Sequence, residues 1–139
     1  MRSRWNHFTK NEKGQSIVEL AIAIPVLLLI LCGIIDFGWI FSNKMVITYC
    51  SREGARYGTI IAANQYSEED IEQRVKEAAP DYLRDDLQVT VTFTDIYDIR
   101  SGDVEVEVSY TVRALTPITG IFFDNQEVEL IATSIMKVE

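Results

Sequence analysis

Apolar and polar positions follow two different rhythms along this chain. Residues 1–14 are polar and basic, and then residues 20–35 run without a single charge, nearly all Leu, Ile, Val or Ala. As a helix that run measures about 24 Å, short of a hydrocarbon core of about 30 Å. Widened to 17–41 it spans a bilayer, with Glu19 and Asp36 toward its ends, where a charge costs far less than at the midplane. The pattern predicts one continuous helix over 15–63 with its membrane-spanning part at 17–41. Such a helix is about 73 Å long, so its C-terminal half projects beyond a bilayer and packs on something else. Pro25 within it predicts either a kink or the simple tolerance that membrane helices show for proline.

A polar break at 64–67 ends that rhythm. Ser67 followed by Glu68, Glu69 and Asp70 reads as a helix N-terminus, a cap with acidic residues facing the dipole. Ile71, Val75, Ala78 and Tyr82 form its apolar stripe, and Pro80 ends or interrupts it. Three segments then alternate with period two: Leu87, Val89, Val91 and Phe93; Val104, Val106, Val108, Tyr110 and Val112; and the stretch 127–136. That period marks strands with one face buried and one wet. Ser101, Gly102 and Asp103 supply a turn between the first two strands. The fold class expected is α+β, a long N-terminal helix followed by a short helix and a three-stranded antiparallel sheet. The domains expected are a leader 1–14, the helix 15–63 and a head 64–139, whose thin core gains from the support of the long helix.

Charge sharpens the division. Of 13 Lys and Arg, four stand in residues 1–14 beside the single acid Glu12, leaving nine basic against twenty acidic residues in the remainder. A body that acidic argues against nucleic acid as a partner. The basic leader puts the N-terminus in the cytoplasm and the head outside, by the positive-inside bias.

Catalytic chemistry finds little to work with. The one histidine, His7, lies in the leader, so no Ser-His-Asp or Cys-His arrangement can form in the body. No zinc-type cysteine pattern and no phosphate-binding glycine loop occurs. Asp95, Asp98 and Asp103 lack the regular ligand spacing of a calcium loop and read as a solvated acidic loop. The expectation is a non-enzyme with no cofactor, no metal and no catalytic residue. Cys32 and Cys50 lie about 27 Å apart on one helix, too far for a disulfide. They read as small apolar packers, with a bridge between neighbouring chains open to Cys50. The apolar tract 118–123 folds back over a small core or forms an exposed docking tip.

No small-x-small cleavage site follows the apolar run, which continues Asp36-Phe37-Gly38-Trp39, so an ordinary signal peptide is not indicated. Before the run the chain reads Lys13-Gly14-Gln15-Ser16-Ile17-Val18-Glu19-Leu20. A Gly, four residues and then a Glu on the threshold of an apolar helix resembles the processing site of type IV pilin-like proteins. With Pro25, Gly33, Asp36-Phe37-Gly38 and Ser51-Arg52-Glu53-Gly54-Ala55-Arg56-Tyr57-Gly58, residues 14–58 resemble the TadE-like minor pilins, or pseudopilins, of the Tad/Flp tight-adherence pilus. Asp36 stands where Glu is frequent in that family, and Gln15-Ser16 replaces a run of small residues.

The resemblance implies cleavage after Gly14 by a prepilin peptidase, a new N-terminus at Gln15, and an assembly role for Glu19. That carboxylate would pair with the freed amine of a neighbouring subunit, although the amine of its own chain is also within reach at i,i+4. It implies a part in initiating, priming or capping the pilus. The partners implied are the prepilin peptidase, a sibling minor pilin, the major pilin, the inner-membrane platform of the pilus machine, and membrane lipid. Gly54, Ala55 and Gly58 present a small-residue helix face that packs on other subunits or on the chain's own sheet. The competing reading is an uncleaved, single-pass anchored binding module with an acidic extracytoplasmic head. A membrane-tethered hydrolase built on Asp and Glu has no motif in its favour.

Overall fold

The structure, a computed structural model, describes residues 12–61, 67–94, 102–117 and 126–138. Most of the leader, Asp95, Asp98, Ser101 and the tract 118–123 lie outside the described residues, as do 62–66.

Helix α1 (Glu12–Ile61) has 50 residues and is about 75 Å long. Gly14 lies within it, and Pro25 falls inside it without ending it. Helix α2 (Glu68–Ala78) starts as its sequence directs. The Asp70 carboxylate accepts the backbone N–H of Ser67 at 3.2 Å, and three acidic residues occupy the first turn.

Pro80 closes α2 and seeds a separate turn, α3 (Asp81–Arg84). Arg84 folds back to donate to the Lys76 carbonyl at 3.0 Å, which also accepts the Ala79 N–H, and to the Ala79 carbonyl at 3.3 Å. This break corrects one expectation. Tyr82 does not continue the buried stripe of Ile71 and Val75; it is exposed, and Leu83 is buried in its place. The proline restarts the helical phase, so the period read from α2 does not carry across it.

Strands β1 (Gln88–Phe93), β2 (Asp103–Arg113) and β3 (Glu127–Lys137) form one antiparallel sheet in the order β1-β2-β3. The register pairs Val91 with Val106, Val106 with Ser134, and Val104 with Met136. In β2, Val104, Val106, Val108 and Val112 all face one way and are buried, as alternation requires of a central strand covered on one side.

The cover is α1 itself. Gly58 meets Val104, the Ser51 hydroxyl donates to the Val106 carbonyl at 2.8 Å, and Asp36 reaches the end of the strand at Leu115 and Thr116. Helix and strand therefore run antiparallel for their shared length. The helix rises about 33 Å from Asp36 to Gly58 and the strand about 30 Å from Val104 to Arg113, so the two elements stay in step. Ile47, Cys50 and Ala55 of α1 join Ile71, Val75, Leu83 and the β2 valines in one core. The head is folded around the upper half of α1, and α2 packs beside it.

Candidate functional site

The candidate functional surface is α1, which changes character at Asp36. From 15 to 35 its residues are exposed, with Cys32 half-buried, a stretch that contains the whole apolar run 20–35. This bare segment is about 32 Å long, close to the hydrocarbon thickness of a bilayer. Among the described residues one helix is long and apolar enough to cross a membrane. From Asp36 upward, one face of the helix is sealed by the head: Asp36, Asn43, Ile47, Cys50, Ser51, Gly54, Ala55 and Gly58 are buried.

Asp36 marks that change, a role beyond the boundary charge and the family-pattern position that its sequence context gives it. It is 1% exposed. Its Oδ1 accepts the backbone N–H of Leu115 at 3.0 Å and of Thr116 at 2.9 Å, while the Thr116 hydroxyl bonds Oδ2. A buried carboxylate is stable when donors satisfy it in this way. The carboxylate thereby ties the descending end of the head to the helix at the top of the bare segment.

Aromatic rings gather at the same level. Phe37 and Phe41 lie one turn apart with centroids 6.2 Å apart on the uncovered side, and Trp39 stands 6.2 Å from Tyr82 on the head side. Such a collar suits the boundary between hydrocarbon and water.

The residues singled out from the sequence fall into two groups that the structure keeps apart. Gly14, Gln15 and Glu19 occupy the first turns of α1 at the far end of the bare segment. Glu19 is exposed, four residues from Gln15, with no hydrogen bond or ion pair among the described residues.

Gly54, Ala55 and Gly58 lie at the other end, and they face the chain's own head. A Cβ on Gly54 would run into Val75 Cγ2 and come within 3.2 Å of Val106 Cγ1; one on Gly58 would stand 2.8 Å from Val104 Cγ1. The small residues therefore let α1 approach α2 and β2 at backbone distance. Of the residues flanking them, Glu53 pairs with Arg74 at 3.1 Å, and the Arg74 guanidinium lies 5.8 Å from the centre of the Tyr57 ring.

Cys50 is fully buried in the core and free, and burial pushes its thiol above the ordinary value. An interchain bridge at Cys50 does not fit that position, which corrects the opening left for it; the small apolar packer is what the structure contains. Lys44 reaches the Ile131 carbonyl and so covers part of the free edge of β3. Asp103, the described member of the acidic loop, stands opposite Lys137 in the backbone register of β2 and β3.

Asp36, Asn43 and Ser51 are the buried polar residues on α1 that hydropathy alone misses. The signal was nevertheless present. Asp36, Asn43 and Cys50 recur every seven positions and fall on the same face as Gly54 and Gly58.

A helix left bare for the thickness of a bilayer and then sheathed by a small α+β head fits a membrane-anchored, pilin-like layout. Comparison with known families narrows the class. Residues 14–56 match the family model of the TadE-like proteins, TadE, and over that stretch the chain is TadE-like, consistent with a component of the Tad pilus system. Neither a curated protein nor a solved structure matched the chain.

Proposed function

We propose that this chain is a minor pilin, or pseudopilin, that is cut after Gly14 by a prepilin peptidase and contributes to initiating, priming or capping a Tad/Flp-type pilus. The observation that carries the reading is the bare segment of α1. It starts at the Gly14–Glu19 motif, has the length of a bilayer, and stops where the head takes hold at Asp36. The family match, which begins at Gly14, supports the same reading.

The chemistry follows from position. Cleavage frees the α-amino group of Gln15, with a pKa of about 7.7–8.0, which is largely cationic near neutrality. Glu19 lies one turn away on an otherwise apolar surface, where an unpaired carboxylate is costly. An amine from a neighbouring subunit satisfies it and fixes the axial register of the two helices. The basic leader holds the N-terminus in the cytoplasm, and the acidic head stands on the far side of the membrane. The chain is then a substrate of the peptidase and a partner of a sibling minor pilin, the major pilin and the inner-membrane platform, with no catalytic role of its own.

The test is complementation in cells deleted for this gene, scored by pili per cell. The wild-type chain restores piliation, whereas chains carrying Gly14→Leu or Glu19→Ala accumulate in the membrane without restoring it. Normal piliation in the deletion strain would overturn the proposal.

A further inference from the structure

The side of α1 turned away from the head carries a second surface that no described residue covers. It climbs through Gly38, Phe41, Met45 and Tyr49 at successive turns and ends in Arg52 and Arg56. Phe41, Met45 and Tyr49 are 55%, 60% and 59% exposed. Met45 and Tyr49 stand above the span 17–41, so hydrocarbon does not cover them in the orientation proposed above, while Gly38 and Phe41 lie at its boundary. Arg52 and Arg56 are exposed and form no ion pair among the described residues.

Gly38 supplies a second observation. A Cβ added there would meet nothing within 4 Å, unlike those on Gly54 and Gly58. Glycine inside a helix is less favourable than alanine by about 1 kcal/mol, and here the chain's own packing gains nothing in return. The notch suits close approach by another helix.

The two arginines restrict which helix that is. Two copies of this chain anchored in one bilayer stand at the same height, because their bare segments are identical. Packed face to face through the stripe, they would set Arg52 against Arg52 and Arg56 against Arg56. Like charges facing each other across an interface are unfavourable, and opposite ones select a partner.

We infer that this stripe docks a co-oriented helix from a different subunit. That helix is apolar at the level of Gly38 to Tyr49 and carries Asp or Glu one to two turns farther from the membrane. The inference rests on the minor-pilin reading and gives the chemistry by which a sibling subunit would be chosen over a second copy.

The probe is the full chain with its own charge reversed. Met45→Cys is placed in a Cys32→Ala background, and a second version adds Arg52→Glu and Arg56→Glu as an acidic-topped surrogate. The two are reconstituted alone and mixed in phosphatidylcholine vesicles and cross-linked with a short bis-maleimide. The mixed pair should cross-link about fivefold more than the all-Arg pair at low ionic strength, and 0.5 M salt (about a 4–5 Å screening length) should remove most of the difference. Gly38→Leu should reduce the mixed product to the level of a control cysteine at Thr90 on the outer sheet face, without lowering the unfolding midpoint of the head.

Equal yields for mixed and all-Arg pairs, or a mixed yield no higher than the Thr90 control, would overturn the docking surface. The N-terminus of the same chains from producing cells separates the two readings. Failed selectivity with cleavage after Gly14 strikes the docking alone, whereas selective cross-linking of an uncleaved chain supports the docking and strikes the pilin reading.

Discussion

Replacing Asp36 with alanine removes the carboxylate that ties the head to the helix at the membrane boundary, and the structure allows the loss to be sized. Oδ1 accepts two backbone N–H groups, from Leu115 at 3.0 Å and Thr116 at 2.9 Å. A hydrogen bond to a charged group contributes about 1.5–3 kcal/mol, and a donor left buried without a partner costs about 1–3 kcal/mol. Leu115 is 60% exposed, so water can reach this segment once the acid is gone, and the lower figures apply. Two such bonds give about 3 kcal/mol for Asp36→Ala, a large share of a stability of about 5–15 kcal/mol.

Asp36→Asn should behave differently. The amide oxygen can occupy the Oδ1 position and accept both N–H groups, while the amide nitrogen donates to the Thr116 hydroxyl. Only the charge assistance is lost, about 1 kcal/mol. The assay is hydrogen exchange on the full chain in detergent micelles, followed by mass spectrometry over the peptide containing Leu115 and Thr116. The alanine variant should speed exchange there by about a hundredfold if opening becomes easier by about 3 kcal/mol, and the asparagine variant by less than about tenfold. Unchanged protection in Asp36→Ala, or equal damage from Asn and Ala, would refute the reasoning.

Further expectations concern the helix–head contact. Gly58→Ala should destabilise the head by about 1 kcal/mol, because overpacking against Val104 outweighs the better helix propensity, while Gly38→Ala should stabilise the isolated chain by up to about 1 kcal/mol; urea unfolding of both variants checks the opposite signs. Ile47→Ala should cost about 2–4 kcal/mol in the same measurement, since its side chain is fully buried between helix and sheet. Cys50 should resist alkylation at pH 8 until the head unfolds, since burial raises its thiol from 9.0. By the same linkage, stability should fall as pH rises past about 9. There the unfolded thiol ionises before the folded one, and Tyr110, raised from 10.0 by burial and by Asp86 and Tyr82, extends the decline.

Much of the fold was legible because the residues that shape it report locally. The alternating valines of β2 and the apolar face of β1 declare strands with one wet side, and Ser67 with its three acids declares the start of α2. The long helix was legible in its apolar half, and Gly54 and Gly58 showed that its other half packs closely on something. Which surface they meet was not legible, since Val75, Val104 and Val106 come from elements far along the chain. The burial and partners of Asp36 were not legible for the same reason: the partners are backbone amides 79 and 80 residues away. A charge at the edge of an apolar run looks interfacial unless the face it shares with Asn43 and Ser51 is read with it. Tyr82 failed because a helical period was carried through a proline.

The central claim is that α1 is a pilin helix released from its leader, and the N-terminus of the membrane-extracted protein tests it most directly. Intact-mass and peptide mass spectrometry, in cells with and without the prepilin peptidase, should find a chain starting at Gln15 only when the peptidase is present, and Gly14→Leu should abolish that start. A chain beginning at Met1 in both strains would contradict the account and leave an anchored binding module in its place.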